Sequence, residues 1–489
     1  MPSSATDAHA IPLAPESGTA FSLRPAQSTE RPPAEGSSVA TSLDARTQLL
    51  LEGPIVLTLL KLAAPNVLVM GAQASVGLIE TYFIGKLGTA ALTGMALVFP
   101  IVMLMQMLSA GAFGGAMASA VARALGGRRE HDANALAWHA LAIAGGLGLA
   151  FMAAVLLGGP ALYARMGGNG EGLAAAVRYS NWVFAGALLV WIFNALAGVI
   201  RGAGNMNLPA LVTVLGTLVL IPLSPALIFG WGPLPALGIA GGALALLLYY
   251  AAGTVALAAY LLSTRSLLKP DWRLLVWQWR LFRDILRVGS VGAISTIATN
   301  LVIAISTALV SGFGAAAIAG YGTASRLEYL MVPLVFGFGA PLVSMVGTAI
   351  GAGAHQRALR VAMVGAGLSG VMTESIGLAA ALFPLAWLSL FDSEPAMLAA
   401  GTRYLQVVGP AYGFFGLGLS LYFASQGAGK LLWPIVGNLL RLLIAALGGW
   451  LALRAGQGLA GVFAAQALAL LAYGLTNVVA IGRGAWFRA

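Results

Sequence analysis

Cysteine is absent from the 489-residue chain, which excludes disulfides and thiolate metal sites. Charge is scarce: only 9% of residues are Asp, Glu, Lys or Arg, against roughly 25% in a soluble domain. Such a surface is too apolar to face water. The four histidines, His9, His131, His139 and His355, show no metal-ligand spacing. Neither HExxH nor GxSxG occurs. The segment QGAGK at 426–430 lacks the leading glycine and the following hydroxyl residue of a P-loop, so no ATP site is expected. With no nucleophile constellation, an enzyme is not expected, and neither is a cofactor.

What is present is hydrophobic sequence, 59% of all residues, and 64 glycines. Apolar stretches of about 20 residues recur along the chain, each long enough to cross a hydrocarbon core. Glycine in such segments lets helices approach closely. The spans are placed at 55–83, 90–122, 134–157, 176–200, 209–230, 236–263, 285–311, 316–349, 359–388, 398–424, 432–453 and 458–482. Residues 1–47 are rich in Pro, Ser, Thr, Ala and Glu and lack an apolar run, which reads as a disordered cytoplasmic tail. The lipid bilayer is therefore the first expected partner.

The formal charge of +10 does not point to nucleic acid, because the basic residues lie in short connections. One set of alternate loops holds Arg123, Arg128, Arg129, Arg201, Arg265, Lys269, Arg273, Arg280, Arg283, Arg287, Arg357, Arg360, Lys430, Arg483 and Arg488. The other holds little beyond Lys86, Arg165 and Arg454. This bias predicts a multi-pass protein of the inner cell membrane with both termini, including 483–489, in the cytoplasm.

The chain repeats itself. RGAGNMNLP at 201–209 parallels QGAGKLLWP at 426–434, and LGGRREHDA at 125–133 parallels IGAGAHQRA at 350–358, both at offset 225. GKLGTAALTG at 85–94 parallels SGFGAAAIAG at 311–320 at offset 226. The fold expected is an all-α polytopic membrane protein of about 12 helices in two homologous six-helix bundles, 48–263 and 288–482. Equivalent points lie six spans apart, so the halves share one orientation. Residues 264–287 join them. Arg273, Arg280, Arg283 and Arg287 fall on one helical face, with Trp272, Trp277, Trp279 and Phe282 as bulk. This reads as an amphipathic helix on the inner leaflet, or else as an irregular charged loop.

Only three of the sixteen acidic residues fall inside spans: Glu80, Glu328 and Glu374. A charge at the bilayer centre costs about 2.5–3.5 kcal/mol on insertion scales. Burial disfavours the charged form of a carboxyl and moves its titration toward neutral pH. These three are the candidate cation-coupling residues. Arg326 and Arg441 also lie within spans, and depth along the helices brings both level with Glu328 at mid-membrane. Residues two apart on a helix do not face each other, so Glu328 is expected to pair with Arg441 rather than Arg326. The tenth span is dense in aromatics. Tyr412 and Phe415, with Asn181, Asn194, Asn300 and Gln426, are candidate cavity-lining residues, and helix packing explains the aromatics equally well.

Several segments carry a family resemblance: ETYFIGKLGTAALTG at 80–94, VARALGGRREHDA at 121–133, VIRGAGNMNLPAL at 199–211, YGTASRLEYLMVPLVFGFGAPLVSMVGTAIGAG at 321–353 and SQGAGKLLWP at 425–434. Together, over residues 50–480, the chain resembles the multidrug and toxic compound extrusion (MATE) family. The resemblance implies a V of two bundles with alternating access. It also implies export of small amphipathic, cationic or neutral compounds against an inward flow of H⁺ or Na⁺. The family's acidic residue at the end of the first helix falls on Glu80. The family's fifth-helix Asn and Asp fall on Leu220 and Ser224, and no acidic residue lies in the seventh or tenth span. The working unit is expected to be a monomer. The competing expectations are a lipid-linked sugar flippase of the same wider fold group, and a channel or membrane receptor.

Overall fold

The computed structural model describes residues 45–232, 234–271, 273 and 277–487. The expected tail falls outside them as far as residue 44, and so do Trp272 and Arg488. The last positions of that tail, 45–47, are helical instead, in α1 (Ala45–Glu52). It is tied down from a distance: Arg357 donates to the carbonyls of Leu50 (3.1 Å) and Gly53 (2.7 Å).

Every other element among the described residues is also helical. Lipid offers no partner to a backbone N–H or C=O, so each crossing segment must bond internally. The first half comprises α2 (Ile55–Gly85), α3 (Thr89–Gln106), α4 (Gly114–Gly126), α5 (Glu130–Arg165), α6 (Gly170–Ala185), α7 (Ala187–Gly202), α8 (Asn207–Phe229) and α9 (Ile239–Leu262). The second comprises α10 (Trp279–Ser311), α11 (Ala315–Gly351), α12 (His355–Leu382), α13 (Pro384–Leu388), α14 (Pro395–Val408), α15 (Tyr412–Ala428), α16 (Leu432–Leu443), α17 (Gly449–Arg454) and α18 (Gly458–Gly482). Among the described residues eleven segments are long and apolar enough to cross a membrane, and the pair α6–α7, bent by 44° at Gly186, makes a twelfth if taken as one span.

Several spans are interrupted. A π-helical turn, Met107–Phe113, joins α3 to α4, and another, Ile444–Gly448, joins α16 to α17. Gly409 and Pro410 break the tenth span into α14, a short 3₁₀ turn and α15. Proline removes one backbone donor and clashes with the preceding turn, which is why the break falls there.

Among the described residues 264–271, 277 and 278, the expected amphipathic linker helix is absent. α10 begins at Trp279, so Arg280, Arg283 and Arg287 belong to its first turns, while Arg273 stands in a 3₁₀ conformation before it. Polar side chains of α5 bond the linker backbone in place of a helical ladder. Asn134 Oδ1 accepts from the Lys269 N–H (2.8 Å), Trp138 Nε1 donates to the Asp271 carbonyl (3.0 Å), and His139 Nε2 accepts from the Gln278 N–H (3.0 Å). Arg280 spans both carboxylate oxygens of Asp132 at 2.9 Å. The arginine spacing is helical, but Pro270 and these side-chain partners favour a docked strap.

The halves also interlock more than a boundary in the sequence suggests. Leu50 and Leu59, from α1 and the start of α2, pack with Leu342, Val346, Ala349 and Val361 of α11 and α12. Phe113, in the first π turn, stands where a Cβ on Gly289 of α10 would fall.

Candidate functional site

Glu80 lies near the end of α2 and is only 4% exposed. Its carboxylate enters the space between α8 and α9. The Ser224 hydroxyl of α8 donates to Glu80 Oε1 at 2.9 Å. On α9, Gly242 leaves room for the other oxygen, since a Cβ there would stand 3.3 Å from Oε2. No basic side chain forms an ion pair with Glu80 among the described residues. Ser224 enters the sequence reading only as a departure from the family pattern. Its role as the carboxylate's partner depends on α8 turning that face toward α2.

Glu328 is held differently. It forms an ion pair with Arg441 of α16, and the Tyr404 hydroxyl stands 3.4 Å from its other oxygen. The guanidinium of Arg441, 4% exposed, also lies over the Phe415 ring at 5.4 Å and the Tyr473 ring at 5.9 Å. A small cavity of about 20 Å³ adjoins the pair, lined also by Ser306, Tyr321 and Gln466. Arg326 does not join them. It points outward and covers the Phe391 ring at 5.6 Å, because two helical positions turn it away from Glu328.

Glu374 is partly buried on α12 and accepts the Gly413 N–H at 2.6 Å. Gly413 is in the first turn of α15, where helix donors have no internal acceptor. The glutamate therefore caps the helix that restarts after the Gly409–Pro410 break. The three acids thus lie in separate places: Glu80 in the first half, Glu328 against α16, Glu374 at the broken tenth span.

The candidate cavity-lining residues also separate. Tyr412 and Phe415 are buried in the second-half core. Asn194 of α7 is buried and donates to Ser109 Oγ (2.9 Å) in the first π turn, with Gln106 Oε1 at 3.4 Å. Gln106 in turn bonds the Tyr250 hydroxyl. Gln426, fully buried, donates to the carbonyls of Gly111 (3.1 Å) and Ala112 (3.0 Å). A π turn leaves carbonyls without their regular partners; the Gln426 amide answers two of them, while the Asn194 amide bonds side chains at the same turn. Asn194 and Gln426 are therefore packing polar groups. Asn181 is exposed on α6, and Asn300, exposed on α10, turns back to the Thr296 carbonyl at 2.9 Å. The polar residues at this π turn that sequence reasoning missed, Gln106 and Ser109, stand in the run PIVMLMQMLSAG, where an amide amid apolar residues was the available signal.

The chemistry open to these carboxylates is uptake and release of a proton or another small cation. Comparisons agree with a carrier. The MatE family model matches twice, at residues 65–226 and 293–451, once in each half. A protein of Shewanella oneidensis named as an FAD transporter is 25% identical over 444 residues, 88% of this chain and 93% of its own length. A probable multidrug resistance protein NorM of Deinococcus radiodurans is 29% identical over 419 residues, 80% of this chain and 86% of its own. The solved structure of a MOP superfamily transporter from Pyrococcus furiosus superposes with a TM-score of 0.83 at 23% identity, covering 91% of this chain and 99% of the other. With a duplicated six-helix fold and a family match across both copies, the chain belongs to the MATE family of membrane efflux transporters.

Proposed function

We propose that the protein exports small amphipathic compounds, cationic or neutral, by alternating access, and that an inward flow of protons drives it through Glu80. The observation that carries this reading is a carboxylate 4% exposed, held by one serine hydroxyl and without a counter-charge among the described residues. An unpaired buried charge is costly. A proton removes that cost, and its loss restores it, so occupancy of Glu80 alters the relative stability of the two access states. Glu328 and Glu374 serve less well as carriers, since Arg441 neutralises one and a helix start occupies the other.

The bias of basic residues toward one set of loops supports a cytoplasmic position for both termini. Deep positive charge is neutralised at Arg441, which favours cationic or neutral cargo over a lipid-linked pyrophosphate. The Shewanella relative's name supplies a second cargo to assay, a flavin dinucleotide.

The test is efflux from vesicles with pH and sodium gradients imposed separately. Proton-driven transport should persist in the wild type without sodium and be lost in Glu80→Gln. Wild-type efflux by Glu80→Gln under a proton gradient would overturn the assignment.

A further inference from the structure

Contacts between the halves obey the internal repeat closely. Ser119 of α4 donates its hydroxyl to the carbonyls of Gln426 and Gly427 at the end of α15, the latter at 2.9 Å. Ser344 of α11 donates to the carbonyl of Arg201 at the end of α7, at 2.8 Å. The two serines are 225 positions apart, and so are the two acceptors Arg201 and Gln426. Glycines repeat the relation. A Cβ on Gly126 would collide with the Thr348 carbonyl, and one on Gly351 would collide with the Arg123 carbonyl. Each half thus lays the end of one helix against the other half's backbone, at the end of the molecule that carries the basic loops.

Position 123 breaks the symmetry. Thr348 is the repeat equivalent of Arg123. Arg123, on the first half, donates through Nη1 to the Gly427 carbonyl (3.0 Å) and through Nη2 to Asp284 of α10 (2.8 Å). Both acceptors belong to the second half. It also bonds Ser119, the serine that reaches the same carbonyl. Small residues in contact permit closure from either side. Charge-assisted bonds from a planar fork are stronger than neutral ones and depend on orientation, so they are lost together when the helix ends part.

We propose that Arg123 is a positioning residue of the transport cycle: it clamps the end of α15 and Asp284, and its release is the step that lets the halves separate at the basic-loop end. The idea rests on alternating access as proposed above, but it is read from conformation and does not depend on Glu80 or on the driving ion.

The chain's lack of cysteine makes single-cysteine reporters direct. Thr348→Cys, 2% exposed between the halves, reports opening at this end, and Ala144→Cys, fully buried within the first half, reports general loosening. The probe is a water-soluble maleimide on the full-length protein in lipid nanodiscs. Adding Arg123→Ala should speed labelling at position 348 roughly tenfold, the scale of a lost charge-assisted bond, and leave position 144 unreactive. Arg123→Lys should fall between, and Asp284→Asn should show a smaller gain than Arg123→Ala. Should Arg123→Ala fail to fold, Arg123→Lys and Asp284→Asn give the same reading. Unchanged labelling at 348 in the folded variants, or equal increases at 348 and 144, would overturn the proposal.

Discussion

Carboxylates in an apolar interior have few ways to persist, and the three here use three of them. Glu80 takes a hydroxyl, Glu328 takes a guanidinium, and Glu374 takes a backbone N–H. These solutions predict different responses. Glu80→Gln keeps shape and removes the titrating group, so uptake of the driving proton should disappear while the protein remains folded, checked by efflux and by thermal unfolding in detergent. Ser224→Ala should lower maximal efflux severalfold, yet leave it dependent on the proton gradient, because the carboxyl itself remains. Arg441→Ala should destabilise the protein by about 3 kcal/mol, the low end for a broken buried pair, since it strands the partly buried Glu328 carboxylate. Replacing both partners, Glu328→Leu with Arg441→Met, should recover most of that loss in the same unfolding measurement.

Among elements, the broken spans show what sequence patterning misses. The tenth span was legible as one apolar stretch, but its interruption at Gly409–Pro410 creates a new helix start that needs an acceptor. Glu374 supplies it from α12. Glu374→Ala should cost about 1 kcal/mol, as the loss of a helix cap does, and leave the pH dependence of efflux unchanged. A shifted pH profile would return this residue to the coupling pathway. The linker shows the opposite case. Its arginine spacing is helical, yet Asn134, Trp138 and His139 of α5 satisfy its backbone in an irregular path. Side-chain acceptors on a neighbouring helix leave no trace in the linker's own periodicity.

Across the whole molecule, duplication governs how the halves meet. Because Gly126 and Gly351 occupy equivalent places against opposing carbonyls, a side chain at either should obstruct the same closure. Gly126→Val and Gly351→Val are each expected to raise maleimide labelling of Thr348→Cys, by similar factors. A large effect from only one would mean that the two contacts do not bear equally on closure. The repeat is legible at offset 225 in the sequence alone, and the family model's two matches follow it. Its consequence at the interface, serine to carbonyl in both directions, was not readable, because the offset relates residues within the two copies and says nothing of which surfaces touch.

The sequence by itself determined that the chain is a duplicated set of membrane-crossing helices, because hydropathy over twenty residues and self-similarity at a fixed offset are properties of the chain alone. It also singled out the acids worth asking about, since charge in apolar runs is rare. Helix depth and spacing also pointed Glu328 to Arg441 and not Arg326, but only the tertiary structure decided the partners of the other two: Ser224 for Glu80 and the Gly413 N–H for Glu374. The physical reason is that a partner is chosen by helix rotation and by breaks such as the π turn and Gly409–Pro410. Those are settled by packing between segments that are distant in sequence.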